Sequence, residues 1–81
     1  MTDNEIREQI IAALTTVAPE VDPASLDSTV PLRNQVELDS MDFLRFLVEL
    51  RARVGVDVPE TDYSMLTSLD AIADYLASHI D

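Results

Sequence analysis

Glu37-Leu38-Asp39-Ser40-Met41-Asp42 leads into an apolar pattern at Phe43, Leu44, Leu47, Leu50 and Val54, which Gly55 ends. The pattern predicts a helix from about Ser40 to Val54. Asp39 is its natural N-cap, because an aspartate oxygen can accept from the N–H groups a helix start leaves unpaired. At about 100° per residue, Phe43, Leu47, Leu50 and Val54 share one apolar arc. Asp42, Arg45, Glu49 and Arg53 fall opposite, with signs alternating at spacings of three and four that allow pairing along the helix. Gly55 tolerates the positive φ of a helix end. Ser40 therefore puts a hydroxyl at a helix N-terminus, where free N–H groups and the macrodipole favour a phosphate. Taken alone, Asp39-Ser40 reads first as an ordinary helix cap, because both residues favour that position, and only its context can raise it to the attachment point of a phosphodiester.

Toward the N-terminus, Thr2 followed by Glu5 forms a capping box, so a first helix should begin there. Ile6, Ile10, Ala13, Leu14 and Val17 mark its core face, and Pro19 stops it. Residues 18 to 38 form a long connection broken by Pro19, Pro23 and Pro31. Val21, Leu26, Val30, Leu32, Val36 and Leu38 can pin it to a core, and a short turn fits at Pro23-Ala24-Ser25-Leu26. Beyond Gly55, Val56-Asp57-Val58-Pro59 reads as an extended connection that buries its two valines. Thr61 to Leu66 suits a short helix, with Tyr63, Met65 and Leu66 as apolar contacts. A final helix should start near Thr67 or Ser68 and present Leu69, Ile72, Ala73, Leu76 and Ile80. No hairpin signature or internal repeat is visible. The expected fold is all-α: a small four-helix bundle of three main helices and one short one, forming one domain over 1–81.

Composition narrows the function. Five arginines and no lysines face sixteen acidic residues, for a net charge of -11. That balance repels nucleic acid and anionic membranes and favours proteins with basic patches. No cysteine is present, which removes disulfides, thiolate metal sites and cysteine nucleophiles. The only histidine, His79, suits the last turn of the final helix and has no legible catalytic partner. No calcium-loop pattern occurs among the carboxylates, so no metal site is expected. Tyr63 and Tyr75 read as core-edge residues. The polar, acidic start and the lack of a run of about 18 apolar residues suggest the cytoplasm. A sequence that begins with Met1 and holds one domain's worth of residues is expected to be freestanding, and a monomer.

Taken together, Asp39-Ser40-Met41-Asp42, the apolar helix and Gly55-Val56-Asp57-Val58-Pro59-Glu60, fifteen residues after the serine, resemble the acyl carrier protein family. The resemblance spans nearly the whole chain. It implies that a phosphopantetheinyl transferase attaches 4'-phosphopantetheine from coenzyme A to Ser40, with Asp39 shaping the site. The arm's thiol would carry an acyl thioester to loading and transferring enzymes, so the chain itself would not be a catalyst. It further implies partner contacts at Glu37, Met41, Asp42, Arg45, Val48 and Arg51. An acyl chain would withdraw among Leu44, Leu47, Val58, Leu66 and Ile72.

Two departures from the family pattern carry information. Glu37 stands where a glycine is common, which stiffens the approach to Ser40 and adds a charge. Arg45, Arg51 and Ala52 replace acidic residues usual in carriers of fatty-acid synthesis, which points to a specialised fatty-acid, polyketide or lipid pathway. An aminoacyl or peptidyl carrier is the close alternative, disfavoured because no Gly-Gly pair precedes the attachment motif. A helical interaction module with no modification at Ser40 is the alternative from a different class.

Overall fold

In the computed structural model, which describes residues 1–80, three long helices enclose one core. They are α1 (Asp3–Val17), α3 (Ser40–Val54) and α4 (Leu69–His79); α2 (Leu32–Gln35) is a single turn within the long connection. Two 3-10 segments, Pro23–Ser25 and Glu60–Met65, complete the described elements. The all-α bundle expected from the sequence is therefore present. Its short fourth helix is 3-10 rather than α, and α2 was not foreseen.

Helix limits follow local chemistry. Thr2 and Glu5 form the reciprocal capping box, with both bonds at 3.2 Å. Its N–H bond holds the Glu5 carboxyl below its ordinary pKa. Ser68 caps α4 by accepting from the Ala71 N–H at 3.1 Å. Gly55 closes α3 at φ 73, a conformation in which a side chain would be strained.

α1 packs against both α3 and α4. Ile10, Leu14, Phe46, Leu50, Ile72 and Leu76 are the large side chains at the centre of the core. Phe46 is an addition to the sequence reading: the buried arc of α3 extends to its side, while Leu44 remains 43% exposed. Val17 and Val54 are half-buried at the edge. Arg7 ties α1 to α4 by reaching Asp70 at 2.7 Å while also bonding Asp3 at 3.0 Å.

The long connection is ordered by hydrogen bonds that apolar anchors alone would not supply. The Gln35 amide accepts from the Asp27 N–H at 2.7 Å and donates to the carbonyls of Asp27 at 2.8 Å and Val30 at 2.9 Å. Thr29 caps the Asp27 carboxylate through its N–H and hydroxyl, which lowers that carboxyl's pKa. The loop then joins α4: Leu32 N–H donates to Thr67 O at 2.9 Å, and Asp70 N–H to Ser28 O at 3.0 Å. Leu32 and Val36 are buried beneath it. The 3-10 segment is tied down in the same way, through a 2.6 Å bond from the Tyr75 hydroxyl to Asp62.

Candidate functional site

Ser40 is exposed and occupies the first residue of α3. Asp39 does the capping: its Oδ1 accepts from the Asp42 N–H at 2.8 Å, and Asp42 Oδ2 accepts from the Asp39 N–H at 3.5 Å. Phe43 N–H bonds the Asp39 carbonyl at 2.9 Å. Among the described residues, the Ser40 hydroxyl has no hydrogen-bond partner, and the N–H groups of Ser40 and Met41 have no acceptor. The serine is thus spare as a structural element. Its hydroxyl stands beside two free donors at the positive end of a fifteen-residue helix.

These features fit a phosphodiester, with one opposing term. Asp39 and Asp42 stand at the same helix start and Glu37 is exposed just before it, so a free phosphate would meet like charge. A covalent bond to Oγ would hold the phosphate where electrostatics alone would not.

Of the partner residues expected from the sequence, Met41, Arg45 and Val48 line one cleft beside α3, Arg51 lines a neighbouring one with Val48, and Glu37 precedes the helix. Met41 and Val48 are 67% and 69% exposed, and with Thr16, Val17, Leu44, Arg45 and Glu49 they line a shallow cleft of about 310 Å³. Arg45 reaches Asp42 only at 3.9 Å, and Arg51 has no carboxylate within ion-pair distance among the described residues. Arg53 faces α1 instead, bonding Glu49, Gln9 and Thr16.

The residues expected around an acyl chain divide. Leu44, Leu47 and Val58 line one cleft of about 360 Å³ with Val48, Arg51, Asp57 and Tyr63. Leu66 instead lines a second cleft, of about 310 Å³, with Leu32, Arg33 and Phe43. Ile72 is fully buried in the core and lines neither cleft. Tyr63 belongs to both clefts, so the two lie side by side. Sequence reading missed Arg33, whose guanidinium lies 5.0 Å from the Phe43 ring centre. No periodicity could have found it, because the contact crosses from α2 to α3.

Among the described residues, His79 has no carboxylate or serine partner of the kind a catalytic constellation needs. His79 stacks on Tyr75 with ring centres 4.2 Å apart, and its Nδ1 lies 2.8 Å from the Tyr75 carbonyl. Among the described residues, no three histidine or carboxylate side chains converge as a metal site would require, and no helix is long and apolar enough to cross a membrane.

Comparison with known proteins gives this geometry its context. A family model described as the phosphopantetheine attachment site matches residues 8–76. The chain belongs to that family, the family of acyl carrier proteins. Phosphopantetheine is the family's prosthetic group. Among similar proteins, an acyl carrier protein of Lactobacillus johnsonii is 25% identical over 79 residues, covering 98% of each chain. One of Rubrobacter xylanophilus is 24% identical over 76 residues, covering 90% of this chain and 94% of its own. Mitochondrial acyl carrier protein 2 of Arabidopsis thaliana is 24% identical over 76 residues; there the match covers 94% of this chain and 60% of the relative.

Proposed function

We propose that this chain, as a single domain, carries acyl groups as thioesters on a phosphopantetheine arm at Ser40. The observation that carries the assignment is the division of labour at the start of α3. Asp39 caps the helix, so Ser40 has an exposed hydroxyl with no structural duty. Family membership supplies the chemistry: the serine Oγ bonds to the phosphorus of coenzyme A's pantetheine phosphate and gives up its proton. The P–O bond to the nucleotide breaks, and the adenosine bisphosphate half leaves. A phosphopantetheinyl transferase supplies catalysis for that step. The thiol needed for acyl transfer comes with the arm, in keeping with a sequence that has no cysteine.

The carrier performs no chemistry of its own in this reading. It raises the effective concentration of a tethered cargo at partner active sites. The exposed Met41 and Val48, with Glu37, Asp42, Arg45 and Arg51, form the face those enzymes recognise. Its mixed charge supports partners other than those of general fatty-acid synthesis, in a specialised fatty-acid, polyketide or lipid pathway. Incubation with coenzyme A and a broad-specificity transferase should add one phosphopantetheine to the intact mass. Ser40→Ala should stay folded and gain nothing. Addition to the Ser40→Ala protein would overturn the assignment.

A further inference from the structure

Arg33 is exposed and has no carboxylate within ion-pair distance among the described residues, in a chain with sixteen acidic residues. Instead its guanidinium sits 5.0 Å from the centre of the Phe43 ring, at the rim of the 310 Å³ cleft. The Tyr63 ring meets Phe43 edge-on at 6.1 Å and 78°, and Leu32 and Leu66 complete the apolar wall. Among the described residues, no acidic side chain lines this cleft. Phe43 follows Ser40 by three residues, about 4.5 Å along the helix axis, so the cleft lies one turn from the anchor.

The neighbouring cleft also holds a free arginine, Arg51, but Asp57 shares its lining and offsets the charge. The Arg33 cleft therefore combines apolar walls with an uncompensated cation. Apolar walls accept any acyl chain. A guanidinium held against a ring, and partly shielded from water by it, adds a planar pair of donors that matches a carboxylate.

We infer that the Phe43–Tyr63 cleft favours acyl groups with a distal carboxylate, and that Arg33 is the residue that sets this specificity. The inference rests on attachment of the cargo at Ser40. Arg33 positions the far end of the cargo and takes no part in its transfer.

The test uses the chain loaded at Ser40 with adipoyl or hexanoyl arms in which an amide replaces the thioester. The sequestered-to-free ratio of each cargo is read from the Phe43 and Tyr63 ring resonances by NMR. Arg33→Gln should lower the adipoyl ratio about five- to tenfold, as expected for losing one charge-assisted contact at a partly exposed site. It should leave the hexanoyl ratio within about twofold. Arg33→Lys should fall between, since it keeps the charge without the planar fork. Equal losses for both cargoes would show that Arg33 only covers Phe43, and no loss for either would show that it does not touch the cargo; each result overturns the inference. A wild-type chain that takes up no arm would overturn the Ser40 assignment as well, whereas a loaded chain with equal losses overturns the specificity alone.

Discussion

Replacing Asp39 and Ser40 separately distinguishes a helix cap from a tether. Asp39→Ala removes the acceptor of the 2.8 Å bond from the Asp42 N–H and leaves only the weaker 3.5 Å bond, which the backbone N–H of residue 39 donates to Asp42 Oδ2. Loss of such a cap costs about 1 kcal/mol, within a range of roughly 0.5–2 kcal/mol. In a domain of this size that lowers Tm by about 4–8 °C. Relief of repulsion in a chain of net charge -11 offsets part of the loss, so the lower half of the range is expected. Asp39→Asn keeps an acceptor oxygen and should retain most of the stability. Ser40→Ala removes a hydroxyl with no partner within the protein and should stay within about 0.5 kcal/mol of wild type. Thermal unfolding of the three unmodified variants, followed by circular dichroism in one buffer, decides the matter. Ser40→Ala melting as low as Asp39→Ala would mean that the serine is part of the cap, and the reasoning for a spare hydroxyl would fail.

Gln35→Ala should cost about 1–2 kcal/mol, because three partly exposed bonds are lost at roughly 0.5–1.5 kcal/mol each before discounting for water. Hydrogen exchange at the Asp27 N–H should quicken while α1 is unaffected; an unchanged Asp27 rate would contradict the clamp. The bond to Asp62 pushes the Tyr75 hydroxyl from 10.0 to about 12. Because the folded value is raised, the stabilisation is complete below pH 10.0 and is lost as pH climbs through about 12. Alkaline unfolding of Tyr75→Phe should therefore lack this loss, and parallel curves for the two proteins would refute it. Reversing Arg45 and Arg51 together to glutamate should raise kcat/KM with enzymes of general fatty-acid synthesis, and unchanged or lower values would count against charge as the basis of partner choice.

What could be read from the sequence was largely what neighbouring residues decide. Thr2 with Glu5, Asp39 at the start of α3, and Gly55 at its end act within one helical turn, so residue type and spacing reveal them. The sequence also placed Ser40 at the helix start with Asp39 as the cap, but could not show that the serine hydroxyl has no partner there. Contacts between distant segments were opaque for a physical reason. Gln35 stitches a loop through an amide whose partners lie five and eight residues away, with no period to betray it. Arg33 belongs to no sequence pattern, and only the fold lays it against Phe43. The α3 arc was drawn without Phe46, which is fully buried. Helical periodicity orders residues around the axis, but the packed neighbours decide how wide a sector is covered.

The central claim is that Ser40 carries the arm, and peptide-level mass spectrometry of the protein isolated from its own cells tests it most directly. A phosphopantetheine on the peptide containing Asp39-Ser40-Met41, located to Ser40 by fragmentation, is the expected result. The same arm found on any other residue would contradict the account. So would an unmodified Ser40 peptide from cells whose transferase modifies this chain's relatives.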